Sequence, residues 1–460
     1  MKTIVKPYMI IIAVSAALTT VSCEQWIETD FPSNQLPTEL VFEDEQTAEA
    51  ALAGLYANLW NNSLISGGSD GMGLLLGLYT DDTASVSSPG SNSIIDLYYN
   101  QQISSNLIVS NVWTNAYQHI YAANSIIEGV KNSKTLSQSA RNRITGETLF
   151  IRSLLYFYLQ QIYGEIPYTD TTDYQINSKL SKLSADDLLS RIDADLEQAV
   201  NLLPSAYRNA ERIYVNKNIA NLLRAKLKIL RKQWPEAENL LQLVLQSSDY
   251  AFQNDITKVF QKTGTHIIWQ LKPKNSGDAT KEAALYNFSG IPTTYMLNVD
   301  LVNSFSANDL RKQNYIATVT SQGQTNYRAV KYKNLAGANT SEDSVIFRLE
   351  EVYLLYAEVL IQQNKVAEAI PYINRTRQRA GLSALLTGLN PTSAKEELKQ
   401  EKRKEFFSEH GIRFFDLKRW GQLDQLLSVK ANWKSYHRQW PLPQKELLLN
   451  PNLNPQNEGY

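Results

Sequence analysis

The stretch EKRKEFFSEHGIRFFDLKRWG, Glu401 to Gly421, concentrates side chains that an active site could use. Glu405, Glu409, His410, Asp416, Lys418 and Arg419 fall within fifteen positions of one another, among four phenylalanines. Carboxylates beside a histidine could move protons, and neighbouring cations could stabilise developing negative charge. The same residues would also make a charged helix with an aromatic spine. Which of the two holds depends on what surrounds the stretch.

Elsewhere the chemistry is thin. The four histidines, His119, His266, His410 and His437, are scattered and lack the close spacing of zinc ligands. Each reads as a packed or capped residue. Glu350 and Glu351 with Glu358 offer carboxylates, and a glycosidase needs two across the scissile bond. Adjacent residues diverge on a helix, however, so a salt-bridged or solvated face is the simpler reading. Asp81 and Asp82, in LYTDDTASV, are more suggestive because they lie in a loop. They could accept hydrogen bonds from hydroxyls, help hold a structural cation, or cap a turn. No phosphate-binding glycine loop, nucleotide fingerprint or thiol redox pair is present. Nothing in the chain calls for an enzyme or a cofactor.

Composition narrows the partners. The chain has 460 residues, and 45 Lys and Arg nearly balance 46 Asp and Glu. No overall field therefore draws it to nucleic acid or anionic lipid. The 25 tyrosines and 8 tryptophans offer flat apolar faces with a polar edge, suited to cores and to wet binding surfaces alike. At the N-terminus, Lys2 and Lys6 precede an apolar run from Tyr8 to Leu18, too short to span a bilayer but suited to a secretory signal. Cys23, the single cysteine, follows Val21 and Ser22 directly after that run. The pattern resembles a lipoprotein processing site, with residues 1–22 as the signal peptide and Cys23 as the acylated first residue of a mature chain 23–460. Thr20 departs from the leucine usual three places before such a cysteine. Loss of Lys2 and Lys6 would take the formal charge from −1 to −3.

The elements that must position these residues are mostly helical. Apolar residues recur at three- and four-residue steps over 46–60, 112–130, 143–163 and 184–202. Gly164 and Pro167 stop the third of these, and Ser184 is a fair N-cap for the fourth. A weak repeat places Ala225 and Ala237 twelve residues apart, and Ala357 and Ala369 likewise, with Glu236 and Glu368 in matching places. Small residues so spaced let antiparallel helices approach closely, as in tetratricopeptide hairpins. Two insertions have another texture. Residues 63–106 are rich in Gly, Ser, Asn and Asp and carry Tyr79, Tyr98 and Tyr99. Residues 252–340 mix short β-like runs such as THIIWQL and YRAVKY with polar turns, and carry Tyr286, Tyr295 and Tyr315. The expected fold is mainly α: a tetratricopeptide-like helical-hairpin scaffold with long irregular loop insertions and a few short strands.

Six blocks, in order, resemble the SusD/RagB family of nutrient-binding outer-membrane lipoproteins. They are WTNAYQHIYAANSII (Trp113 to Ile127), GETLFIRSLLYFYLQQIYGEIPY (Gly146 to Tyr168), FRLEEVYLLYAEVL (Phe347 to Leu360), INRTRQRAGL (Ile373 to Leu382), the Glu401 to Gly421 stretch and WPLPQKELLLNPNLNPQNEGY (Trp440 to Tyr460). The resemblance implies a non-catalytic, cell-surface-facing lipoprotein of the outer membrane that captures oligosaccharides. It would hand them to a SusC-like TonB-dependent transporter. A RagB-like peptide receptor of the same fold is the alternative, and a helical-repeat adaptor a more distant one.

That resemblance also answers the question raised by the charged stretch, which in this family belongs to the scaffold. Phe406, Phe407, Phe414, Phe415 and Trp420 then supply core-facing surface, while Glu405, Arg413, Asp416 and Arg419 pair across helix ends. Ligand contacts are expected in the insertions. Tyr98, Tyr99 and Asn100 are the candidates in the first, with Asp82 as a hydroxyl acceptor. Tyr286 and Tyr295 in the second would form the opposite wall. Tyr98 and Tyr99 cannot both face inward if their segment is extended.

Overall fold

The computed structural model describes residues 38–86 and 93–460; the expected signal peptide and Cys23 lie outside them. Helical periodicity resolves into eleven main helices among the described residues. They are α1 (Glu45–Asn62), α2 (Met72–Tyr79), α3 (Leu107–Asn132), α4 (Gln138–Tyr163), α5 (Ala185–Leu202), α6 (Lys217–Leu230), α7 (Trp234–Leu245), α8 (Leu349–Gln362), α9 (Val366–Arg379), α10 (Pro391–Phe406) and α11 (Ile412–Arg419). Shorter helical turns lie in the insertions and near the C-terminus.

Side-chain caps set the helix starts. Asn106 accepts the Ile108 and Val109 N–H groups at the head of α3, and the Ser184 hydroxyl accepts the Asp187 N–H at the head of α5. The central helix is α4, buried continuously from Gly146 to Tyr163, polar residues such as Glu147 and Arg152 included. Gly164 ends it at φ +82°, and a Cβ there would collide with the Gln439 amide.

The weak repeat is real in space. Ala225, Ala237, Ala357 and Ala369 are all fully buried, where α6 packs on α7 and α8 on α9. Although the sequence copies are far apart, α7 lies directly against α8. Gln242 Nε2 donates to the Tyr356 hydroxyl at 2.8 Å, and Glu238 takes both Gln363 and Lys365. Residues 252–340 therefore leave the stack and return to it.

Three two-stranded antiparallel sheets stitch that excursion down. β2 (Ile267–Leu271) pairs with β6 (Ser344–Arg348), just ahead of α8. β4 (Ile316–Ser321) and β5 (Gln324–Ala329) form a hairpin. β1 (Thr83–Ser85), from the first insertion, pairs with β3 (Tyr295–Leu297), from the second. The two insertions thus meet over a second, small apolar core containing Leu74, Leu78, Leu297 and Tyr315, which Phe407 of the C-terminal block joins.

The first insertion is less irregular than expected. It holds α2 and a helical turn at Ser93–Tyr98. Tyr98 and Tyr99 close that turn rather than an extended run, and their rings meet edge to face at 4.9 Å.

Candidate functional site

The charged C-terminal stretch is buried. Glu405 is wholly enclosed; its Oε1 accepts from Arg348 Nη1 at 2.6 Å and from Arg379 Nη2 at 2.5 Å. Glu409 receives the rest of Arg348, at 2.9 and 3.0 Å, together with Lys331. Arg311 binds Glu401 at 2.7 Å and Asp309 at 2.9 Å, both inside the protein. Burial alone would raise the Glu405 carboxyl, but Arg379, Arg348 and Arg311 overcome it and hold the group far below the usual range. A carboxylate so tightly paired cannot serve as a base near neutral pH. Burial lowers the His410 imidazole below its ordinary value, and its Nε2 lies 2.9 Å from the Val345 carbonyl. Asp416 bonds Lys402 at 3.0 Å and Arg419 at 2.6 Å. Arg413, expected to pair within the stretch, instead reaches the first insertion and grips Asp81. This block is scaffold.

The same contacts place Asp82. It is 2 % exposed, with Oδ1 3.7 Å from Arg403 Nε, and burial together with the charge of Asp81 pushes its pKa up to about 6. A carboxyl so enclosed is out of reach of a ligand hydroxyl. Asn100 is also 2 % exposed; it turns the chain at φ +51° and donates to the Tyr79 carbonyl at 3.1 Å. Tyr98 is half-buried, with the Lys430 ammonium 3.8 Å from the centre of its ring, so that face is occupied. Tyr99 is half-buried, and its carbonyl accepts from Asn432.

Tyr286 and Tyr295 do not form one wall. Tyr286 is buried and lines a small cavity shared with Glu282, Lys331, Ser408 and Glu409. There Glu282 accepts from Ser344 at 2.7 Å, and burial pushes its pKa up to about 7. Gly67 makes room for it, since a Cβ on that residue would fall 2.0 Å from the Glu282 carboxyl carbon. Lys331, deep in the same chamber, is lowered by burial to about 8.

Tyr295 faces the other way, into an open groove of about 640 Å³. The end of α1 contributes Asn61 and Asn62, and the following loop Gly68, Ser69 and Asp70. The first turns of α3 add Asn111 and Asn115, and the helical turn Lys281–Tyr286 adds Lys281. Leu64, Leu75, Ile94, Ile108 and Val112 line the remainder. The charges cancel. Lys281 bonds the Asn61 carbonyl, and its charge offsets part of the rise that burial imposes on Asp70. His119 Nε2 lies 3.3 Å from the Asn62 carbonyl beneath the floor. One aromatic ring, four side-chain amides and a neutral balance suit a polyhydroxylated, uncharged ligand.

Of the six ligand candidates, Tyr295 alone borders this groove. Sequence reasoning missed its amides. Asn111 and Asn115 stand four apart on α3, so the period that revealed the helix also marked them as sharing a face. Among the described residues, no group of three or more His, Cys, Asp or Glu could hold a metal ion. No described helix is long and apolar enough to cross a membrane.

Comparison with known proteins points the same way. Residues 30–225 match the SusD-like family described as "Starch-binding associating with outer membrane", and residues 270–460 match the SusD family. The chain is similar to SusD-like protein P25 of Formosa agariphila, at 26 % identity over 98 % of this chain and 99 % of that one. Its fold is similar to a SusD superfamily protein from Bacteroides vulgatus, with TM-score 0.78 and 22 % identity over 91 % of this chain and all of that one. It is similar also to surface glycan-binding protein A from Bacteroides thetaiotaomicron, solved in complex with laminarihexaose. There the TM-score is 0.75 and the identity 18 %, over 90 % of this chain and 99 % of the other.

Proposed function

The chain belongs to the SusD/RagB family, and from that premise we propose that it is a non-catalytic glycan-binding lipoprotein of the outer membrane. Cys23 carries the lipid, the domain faces outward, and a SusC-like TonB-dependent transporter receives the cargo. The groove at Tyr295 carries this reading. It lies where the two insertions meet, its amides can donate to and accept from sugar hydroxyls, and Tyr295 offers a ring for an apolar sugar face. The glycan-binding proteins of the same fold support the substrate class, including the one holding laminarihexaose.

Such a groove is shallow, and a single ring with a few amides binds weakly. A tethered receptor beside its transporter compensates through local concentration. Glu405 and Glu409 of the C-terminal block are committed to arginines, which leaves those carboxylates no proton-transfer role.

Titration calorimetry of the chain lacking residues 1–23 against neutral glycans and against peptides tests the proposal. A neutral oligosaccharide should bind, Tyr295→Ala should weaken it, and the reducing ends released should not increase. Binding of peptides alone would transfer the groove to the peptide-receptor reading.

A further inference from the structure

The groove at Tyr295 and the small cavity at Tyr286 share two walls. The loop after α1 gives Gly68, Ser69 and Asp70 to the groove, and Ser66 and Gly67 to the cavity. The helical turn Lys281–Tyr286 gives Lys281 to the groove, and Glu282 and Tyr286 to the cavity. A shift on one side of this partition is therefore felt on the other.

Glu282 presses on the partition from inside. A Cβ on Gly67 would fall 2.3 Å from both of its carboxyl oxygens, so the loop backbone lies directly against that group. Gly67 is half-buried and Glu282 is 8 % exposed, which makes the loop the outer cover. The cavity, of about 20 Å³, has room for about one water molecule. The Ser344 hydroxyl donates to the carboxyl at 2.7 Å. An ionised carboxylate offers about four acceptor positions, and one hydroxyl with one water leaves it poorly solvated.

The surrounding charges do little to help. Glu409, from the C-terminal block, repels an ionised Glu282, and its own charge is taken by Arg348 at 2.9 Å and Lys331 at 2.5 Å. Lys331 is further tied to the Glu405 and Phe407 carbonyls, both at 2.8 Å. Burial lowers His410 and raises the phenols of Tyr286 and Tyr332, which favours the neutral form of each. The charge of the loop, Asp70, lines the groove instead. Lys281 does attract Glu282, but from the groove side, where it bonds the Asn61 carbonyl. An ionised Glu282 thus pulls on Lys281 and gains water by lifting the loop. Both belong to the groove.

The loop is held at its ends, because the Met72 N–H donates to the Leu64 carbonyl at 2.9 Å. Residues 65–71 can lift only by opening their own turns. These are closed by the Gly68 N–H on the Ser66 hydroxyl and the Gly71 N–H on the Gly68 carbonyl, each at 3.2 Å.

We infer that Glu282 is a proton-operated latch on the rim of the groove. Protonated, it lets the loop seat over the cavity; ionised, it draws Lys281 inward, lifts the loop and weakens the groove. Its link to ligand rests on the groove reading, whereas the movement of the loop does not. Burial pushes the Glu282 carboxyl up to about 7, so the latch releases as pH rises through neutrality.

Hydrogen exchange read by mass spectrometry on the full chain in detergent tests the latch, with Glu282→Gln as the mimic of the protonated group. Comparing the two proteins at one pH cancels the chemical exchange rate. At pH 8, peptides covering 64–72 and 281–286 should exchange about fivefold faster in the parent than in Glu282→Gln, and at pH 6 the two should agree. Gly67→Ala, whose added methyl displaces the carboxyl, should exchange over 64–72 at pH 6 as fast as the parent does at pH 8. Should that variant not fold, the Glu282→Gln comparison decides alone. Equal rates at pH 8 would overturn the latch. So would an acceleration spread evenly over α4 and α5, which a merely structural carboxyl produces through global unfolding. Calorimetry with laminarihexaose reads the link to the groove. Affinity should fall about threefold more between pH 6 and pH 8 in the parent than in Glu282→Gln, whose own change reports Asp70 and His119. An equal fall in both would sever the latch from the groove. No binding by either protein at either pH would count against the groove reading with this probe, while hydrogen exchange still decides the latch.

Discussion

Arg413 of the C-terminal block holds Asp81 of the first insertion through two hydrogen bonds of 3.0 Å, across 332 residues of chain. Arg403 adds a third contact to the same carboxylate at 2.8 Å. The next residues form β1, which pairs with β3 and so with Tyr295. A clamp in the scaffold therefore anchors the strand pair that presents the binding ring.

Arg413→Ala should destabilise the protein by about 3 kcal/mol, because Asp81 is left buried with one partner fewer. Urea denaturation reads this directly. Sugar affinity of the folded fraction should change by less than threefold, since Arg403 still holds Asp81. Unchanged stability with abolished binding would instead place the site in the C-terminal block.

Glu405→Gln should cost more, on the order of 3–5 kcal/mol, since Arg348 and Arg379 would both lose the charge they share. A midpoint shift within error would show that the network contributes little to stability.

Glu282 predicts a pH effect of definite sign. Its folded pKa of about 7 lies above the ordinary 4.5, so the folded state prefers the protonated form. This group penalises the fold above pH 7, and the penalty disappears as pH falls from about 7 to 4.5. Glu282→Gln mimics the protonated group. The variant should be more stable than the parent at pH 8, by on the order of 3 kcal/mol, with the difference vanishing near pH 4.5. The buried histidines His410 and His437 act oppositely over much of that range, so the comparison between variant and parent carries the result, not the parent curve.

Tyr295→Ala should weaken glycan binding by about 1–3 kcal/mol, by analogy with bases stacked on aromatic side chains. Asn111→Ala and Asn115→Ala should each cost about 0.5–1.5 kcal/mol, as expected for single hydrogen bonds. If calorimetry finds all three neutral, the groove is not the site.

Cys23→Ala should leave the chain unacylated and free it from the membrane fraction. Continued palmitate labelling of the variant would refute the anchor.

The sequence by itself determined what local periodicity can carry. The apolar spacing of 143–163 marked a helix, Ser184 its neighbour's cap, and the matched alanines the close helix pairs; each of these depends on residues within a turn or two of one another. Order and spacing of the six blocks were enough to indicate the family. Only the tertiary structure decided that Arg413 belongs to Asp81 of the first insertion, that α7 stacks on α8 across the second insertion, and that Tyr295 lines an open groove while Tyr286 lines a small internal cavity. Pairings over hundreds of residues leave no period in the chain. A tyrosine in an irregular segment has no helical face to assign it, so its side is set by what packs behind it: β1 for Tyr295, and the Glu282 chamber for Tyr286.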